Sequence, residues 1–446
     1  MHSSIGARSA LAAAAALAIG IGAASGALAE TGKDGIPDPS IATSLPAKGD
    51  PDGTRAALAE KGVTYGINYI GEILGNPTGG VKQGAIYEGR LEGVFDADLE
   101  KLWDLKGLSF HTNVYQIHGA GLTRENLQNF MVASSIEALA STRLYELWFE
   151  QKLTDKISVR AGQQGVDTEF FISETAANFV NATFGWAAIW GDDLPSGGDA
   201  YPLSALAARV KVELENNVTV LAAVFDGNPA GPGLGDPQTR DPYGLNFRLT
   251  DPPFFIEEIQ YKYNREKGAA WLPGTIKVGA WQEGGSFQDL RYDAAGVPIF
   301  ISGLPGRSLQ GDFGFYAVID QQIYRLPGED EKKGINAFAR VGATPPDRNI
   351  NYIDVDGGFV FSGFVSQRPD DNFGVAFSYL GISADLYPSR KPFEALVEAY
   401  YKYQIVPGLV VQPDFQYIWN PGGGVTNDGE PIKNALVGGI RVTVNY

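Results

Sequence analysis

The chain has 446 residues and a formal charge of −17 at neutral pH, with 52 acidic side chains against 35 basic ones. That balance excludes nucleic acid as a partner, because phosphate recognition needs clustered Lys and Arg. The absence of cysteine excludes a disulfide framework, a thiolate zinc site and an iron–sulfur cluster. Glycine is abundant at 56 residues, aromatic residues reach 11% and charged residues still make up 20%, a balance that fits neither a disordered chain nor an apolar helical one and points to an all-β fold.

Residues 1–29 read as a signal peptide. Arg8 gives a weakly positive start, Leu11 to Gly22 is a short apolar stretch, and Ala27-Leu28-Ala29 is an A-x-A cleavage site that leaves Glu30 as the mature N-terminus. No later run of 18 or more apolar residues exists, so no helix is expected to span a membrane. Transmembrane strands need only about 9–11 residues each and leave a much weaker hydropathy signal.

Residues 30–62 are rich in Pro, Gly and Asp and read as a mobile periplasmic leader segment, ending in a helix-like stretch from Thr54 to Lys61. Residues 63–446 show period-2 alternation throughout. Sixteen strands are predicted to start near Val63, Ala85, Gly107, Thr142, Ile157, Leu203, Asn217, Phe254, Gly274, Gly311, Gly334, Ile353, Asn372, Pro392, Gly408 and Asn434. The last strand is the clearest: Leu436, Gly438, Ile440, Val442, Val444 and Tyr446 share one face, and Gly439, Arg441, Thr443 and Asn445 the other. Connections alternate in length. Thr154 to Lys156, Glu215-Asn216 and Val406-Pro407 are minimal turns, whereas 119–141, 167–202, 227–253 and 285–310 are long. An even strand count, short turns on one rim and long loops on the other predict a 16-stranded antiparallel transmembrane β-barrel, with the turns periplasmic and the loops extracellular. A barrel of this size is expected to enclose an aqueous channel rather than a filled core.

The lumen then carries the function. On the second strand Glu88, Arg90, Glu92, Asp96 and Asp98 share a face; on the fourth, Glu146, Trp148, Glu150 and Lys152; the fifth and sixth add Arg160, Gln164, Arg209, Lys211 and Glu213. Mixed acids and arginines across a pore set up a transverse field that orders polar solutes, although each residue alone also reads as an ordinary wetted side chain. A sugar site needs an aromatic face and donor–acceptor groups at the ring edge. Trp148 beside Glu146, with Arg90, Glu92 and Arg160 in the same sector, would supply both; the alternative for Trp148 is an interfacial belt. Trp186 and Trp190 lie in the long loop after the fifth strand, placed either to form a constriction or to pack that loop on the wall. Gln412, Asp414 and Gln416 face inward beside Glu394 and Glu398, as ligands or as a rigidifying ladder.

Catalytic patterns are missing. Only His111 and His118 survive processing, and no Gly-x-Ser-x-Gly elbow occurs. No His/Cys cluster suggests a metal or cofactor, and the acidic pairs Asp192-Asp193 and Asp370-Asp371 are weak Ca²⁺ signals compatible with plain solvation.

Four stretches add a resemblance. They are Arg55 to Gly62 (RAALAEKG) with Gly79-Gly80 and Tyr87 to Gly89; Thr142 to Gln151 (TRLYELWFEQ) leading through Arg160 to Gln163 and Asp167 to Phe170; Asn178 to Gly185 (NFVNATFG); and Gln412 to Gly422 (QPDFQYIWNPG) followed by Ala435 to Arg441. In these the chain resembles the carbohydrate-selective porin (OprB) family of Gram-negative bacteria. The resemblance implies an outer-membrane channel for passive, facilitated diffusion of monosaccharides such as glucose, lined by arginines, acids and aromatics. It implies contact with outer-membrane lipid and lipopolysaccharide, recognition of the C-terminal strand ending at Tyr446 by the barrel-insertion machinery, and assembly as a homotrimer or a monomer. The competing readings are a general, mildly cation-preferring diffusion porin and an occluded structural or adhesive barrel.

Overall fold

In the computed structural model the described residues are 32–446, apart from 267–268, 329–331, 387–389 and 427–428. The expected signal peptide lies outside them. Sixteen strands form one closed antiparallel barrel: β1 (Val63–Gly80), β2 (Gly84–Asp98), β3 (Leu108–Gly119), β4 (Ser141–Thr154), β5 (Ile157–Gln164), β6 (Ala205–Glu213), β7 (Val218–Asp226), β8 (Pro253–Tyr263), β9 (Gly274–Asp293), β10 (Gly306–Arg325), β11 (Gly334–Ala343), β12 (Asn351–Ser362), β13 (Asn372–Ile382), β14 (Phe393–Val406), β15 (Leu409–Trp419) and β16 (Lys433–Asn445). Each strand pairs with its neighbours in sequence, and β1 closes on β16 through pairs such as Tyr69 with Val444 and Ile73 with Ile440. Closure gives every strand a partner on both sides, so backbone polar groups are satisfied largely within the wall, as a hydrocarbon surrounding demands.

The period-2 pattern decides the faces. Along β1, Ile67 and Ile73 point out while Ile70, Glu72 and Leu74 are buried inward. Along β14, Tyr403 is exposed outside, whereas Glu394 and Glu398 are wholly buried inside. Phe149, Phe255, Phe313, Phe315, Phe359, Phe377 and Phe415 are all exposed on the outer surface, which gives the apolar jacket that lipid requires.

The rims differ as expected, with exceptions. One rim carries the tight turns 155–156, 214–217 and 407–408; the other carries 120–140, 165–204 and 227–252. On this second rim, however, β1 and β2 are joined by 81–83 alone, and β11 and β12 by 344–350. The expected long connection 285–310 is mostly strand: β9 and β10 continue past an irregularity between Gln310 and Asp312 to pair Ser308 with Gln288, leaving only 294–305 as loop.

The described part of the leader packs on the short-turn rim, where β16 ends, instead of trailing free of it. Its helix α1 (Thr54–Glu60) starts after Asp50, whose carboxylate accepts the N–H groups of Arg55 and Ala56. The Arg55 guanidinium is buried between the rings of Tyr65 and Tyr446, 4.5 and 4.8 Å from their centres. Gly408 explains the close fit: its φ is +77°, and a Cβ there would stand 2.2 Å from the Ile41 nitrogen.

The lumen departs from the expected open, water-lined interior. A buried apolar cluster joins inward wall residues, among them Phe338, Leu380, Leu396, Ile418 and Val437, to loop residues Leu127, Met131, Phe171, Phe179, Phe184 and Trp190. Two long connections fold into the barrel and take part of the wall's inner face as their own core.

Candidate functional site

The connection 165–204 is the principal inward element. Polar side chains from most of the barrel hold it. Glu258 of β8 accepts the Phe171 N–H at 2.9 Å, Lys277 of β9 donates to the Ile172 carbonyl at 2.7 Å, and Asp320 of β10 accepts the Ser173 hydroxyl at 2.7 Å. On the far wall Glu398 of β14 accepts the N–H groups of Val180 and Asn181 at 2.6 and 2.9 Å. Arg340 of β11 donates to the carbonyls of Thr183 and Gly185 while paired at 2.7 Å with Asp356 of β12, and both side chains are fully buried. The shorter connection 120–140 is held in the same way, since Glu394 accepts the N–H groups of Phe130 and Met131. Irregular backbone is tolerated at membrane depth because wall side chains satisfy it.

Beside this connection the wall of β4–β6 carries an ionic belt. Arg160 pairs with Glu150 at 2.9 Å and lies 3.5 Å from Glu169 of the inward connection. Arg209 pairs with the same two acids at 3.2 and 2.7 Å, and Ser158 donates to Glu150 at 2.6 Å. Glu150, Glu169 and Arg160 stay partly exposed to the lumen while Arg209 is buried behind them. Two acids shared between two arginines hold the guanidinium planes fixed, with carboxylate and N–H edges left at the surface.

A cavity of about 510 Å³ lies between the inward connections and the β2 wall, lined by Arg90, Arg124, Glu137, Trp186, Asp192 and Tyr201 among others. Its volume is that of a small-molecule site. Burial raises the Glu137 carboxyl above its ordinary range, against the N–H groups of Thr123 and Arg124 that favour the ionised form. Burial likewise pushes Asp167 up to about 6, although the Tyr145 hydroxyl and the Tyr201 N–H both donate to it.

The residues expected from sequence fall into three places. Arg90 and Trp186 line the cavity together; Arg90 lies over the rings of Tyr115 and Tyr201 at 4.7 and 5.3 Å and 3.7 Å from Glu92, which accepts from Asn113. Trp148 and Arg160 are in contact at the belt, the guanidinium 3.7 Å from the indole centre. His111 stacks on the same indole at 4.6 Å. Because His111 arrives from β3 and Arg160 from β5, on either side of β4, the ring faces expected to meet a sugar are covered. Glu146 is buried and bonds the Gly165 N–H and the Thr168 hydroxyl, so it fastens the start of the inward connection. Asp414 stands apart on β15, buried and accepting from Gln416, which in turn donates to Ala133; it belongs to the ladder that carries the loops. Trp190 is wholly buried against Phe171 and Trp281, so of the two loop tryptophans it is the packing residue.

Sequence reading missed Glu169, Tyr201 and the Arg340–Asp356 clamp. Glu169 and Tyr201 sit in irregular backbone with no period to assign them a face. Arg340 did carry the inward parity of its strand, but nothing local revealed the loop carbonyls it holds. Asp192 and Asp193, considered for Ca²⁺, accept from Asn351 at 2.7 and 3.2 Å.

A closed sixteen-strand barrel with a jacket of apolar side chains, an inward-folded connection and an ionic lumen wall is the architecture of an outer-membrane porin. The family model described as carbohydrate-selective porin, OprB family, matches residues 82–446, and the chain belongs to that family. It is 26% identical over 433 residues to Porin B of Pseudomonas aeruginosa, covering 88% of this chain and 90% of that one. The high-pH structure of Pseudomonas putida OprB matches with a TM-score of 0.79 at 22% identity, covering 89% of this chain and 97% of that one. The low-pH structure of the same protein matches with a TM-score of 0.56 at 18% identity over the same shares. This protein is therefore a carbohydrate-selective porin of the Gram-negative outer membrane, with the architecture of a channel.

Proposed function

We propose that the channel passes monosaccharides such as glucose by facilitated diffusion, through a constriction between the inward connection 165–204 and the walls of β2 and β4–β6. The observation that carries this is the belt of Glu150, Arg160, Arg209 and Glu169, fixed donors and acceptors on the β4–β6 wall, together with a cavity lined by Arg90, Trp186 and Tyr201. A hydroxyl-rich neutral solute can exchange its water for such an array at little reorganisation cost, whereas apolar solutes cannot. In this reading Arg90, Glu92, Arg160 and Trp186 face the solute path. Trp148 orients Arg160 from beneath, and Glu146 and Asp414 act by positioning the inward connections. The short-turn rim, with the leader and Tyr446, faces the periplasm, where the insertion machinery would meet the terminal strand.

Single-channel current in a planar bilayer, with glucose titrated into the bath, tests the proposal. Concentration-dependent, saturating block is expected. A current that glucose does not alter, with flux linear in concentration and strong cation selectivity, returns the protein to a general diffusion pore.

A further inference from the structure

Strands β5, β6 and β7 are 8, 9 and 9 residues long, whereas β3, β4 and β8 have 12, 14 and 11. A transmembrane strand needs about 9–11 residues, so this sector of wall is at or below the minimum height. Above Gln164 the chain leaves the wall for the lumen, and β4 pairs with β5 only from Leu147 downward. The upper edge of β4 is therefore free of its neighbour.

The connection between β7 and β8 fills that edge. The Leu144 N–H donates to the Tyr243 carbonyl at 2.9 Å, Arg143 donates to the Asp241 carbonyl at 2.7 Å, and Gln163 donates to the Gly244 carbonyl at 2.9 Å. Gly244 has φ +65°, and a Cβ there would fall 1.9 Å from the Leu144 oxygen, so the two backbones are in direct apposition. At its other end the segment is tied to β7, where the Gly227 N–H donates to the Pro252 carbonyl and the Asp251 N–H to the Asp226 carboxylate. Residues 241–252 thus run as a strap from β4 to β7 across the ends of the short strands.

The strap presents an apolar row to the outside. Tyr243, Leu245, Phe247 and Leu249 are 63, 59, 51 and 75% exposed. Of the residues between them Gly244 is buried, Arg248 is half-buried and bonded to Asp251 and Thr250, and Asn246 is exposed. The level is that of the apolar jacket: Leu144, beside the strap, is in register with Val114 of β3, itself exposed on the outer surface.

We infer that residues 241–252 are a membrane-embedded strap, whose row of Tyr243, Leu245, Phe247 and Leu249 meets bilayer hydrocarbon and completes the wall above β5–β7. The occupant follows from the missing strand height and from the continuity of this row with the outer apolar surface. It is independent of which solute the channel passes.

The chain has no cysteine of its own, so nitroxides can be placed singly. Leu245→Cys and Leu249→Cys are labelled in the full channel in phosphatidylcholine bilayers, with Leu234→Cys as the reference. Leu234 lies in the same connection and is 99% exposed. Collision with dissolved oxygen is compared with collision with a water-soluble nickel chelate. The oxygen-to-nickel ratio is expected to be at least several-fold higher at 245 and 249 than at 234. Nickel collision equal to that at 234 would place the strap in water and overturn the inference. Suppression of both collisions would also overturn it, since a second copy of the chain or another protein would then cover the row. As a second reading, Leu249→Asp should lower the unfolding temperature in bilayers by several degrees while Leu234→Asp leaves it unchanged; equal shifts would count against the strap.

Discussion

Arg340 shows how single side chains control this lumen. It faces inward by the parity of β11, as its alternation requires, yet its partners are Asp356 and two carbonyls 155 and 157 residues away in sequence. Removing one member of a fully buried ion pair leaves the other charge unpaired, at a cost of about 3–5 kcal/mol. Arg340→Ala is therefore expected to lower chemical unfolding stability by that order and to raise single-channel conductance as residues 183–185 come loose. Trp148 makes a different prediction. It holds Arg160 by a cation–π contact, worth about 0.5–2 kcal/mol, so Trp148→Ala should weaken glucose block while conductance stays equal or rises. Unchanged block in that variant would remove Trp148 and Arg160 from the site. Asp167 adds a pH dependence. Its carboxyl titrates near about 6 in the folded protein, above about 3.9 in an unfolded chain, so the folded state binds the proton more tightly. The contribution to stability is present in full below about 4 and is lost as pH rises through about 6. With the intrinsic pH dependence of amide exchange divided out, protection of residues 165–204 should be higher at pH 5 than at pH 7, and Asp167→Asn should erase the contribution of this group to that difference.

At the scale of elements, strands and connections obey different rules. A strand needs only local alternation and a neighbour, and all sixteen were legible from the sequence for that reason. Their starts agree to within two residues except at β10, which begins at Gly306 instead of Gly311 because the hairpin continues beyond a bulge. The connections have no periodicity, so their docking was not legible. Trp186 and Trp190 point to a connection 165–204 that folds inward or packs on the wall, but its anchors lie on β4 to β6 and on β8 to β15 and are not legible from either partner alone. Glu398 is one of them, accepting two consecutive N–H groups. Hydrogen bonds of this kind contribute about 0.5–1.5 kcal/mol each, and about 1.4 kcal/mol is a tenfold change in population. Glu398→Ala should therefore convert a steady conductance into one with frequent larger openings in bilayer recordings. If the open-channel current and its noise are unchanged, the connection is held without Glu398.

On the scale of the whole molecule, the critical feature is the β1–β16 seam. Glu72 and Arg441 form a buried pair across it, Asn68 meets Asn445, and the Tyr446 backbone bonds Ile67 in both directions. The leader locks the same place through Arg55 between Tyr65 and Tyr446, and through the Tyr446 hydroxyl on Gly49. Arg55→Ala should make residues 32–62 more protease-sensitive and lower the barrel's unfolding temperature by a few degrees. Tyr446→Ala should reproduce both effects and also reduce the folded fraction in the membrane, because it alters the terminal strand itself. Equal folded fractions for the two variants would show that Tyr446 acts only through the leader.

By itself the sequence determined the barrel. The alternation of lipid-facing and inward side chains is a short-range property, written residue by residue into each strand, and closure follows from pairing each strand with the next. Acids, arginines and Trp148 stand at inward parity, so the polar character of the inner wall was also legible in the sequence. Only the tertiary structure decided what fills that lumen. It put His111 and Arg160 on the two faces of Trp148, made Glu146 and Asp414 supports for the loops, and laid 241–252 along the wall. These outcomes depend on carbonyls, amide groups and ring faces meeting across the barrel from positions far apart in the chain, and a local pattern carries no record of such meetings.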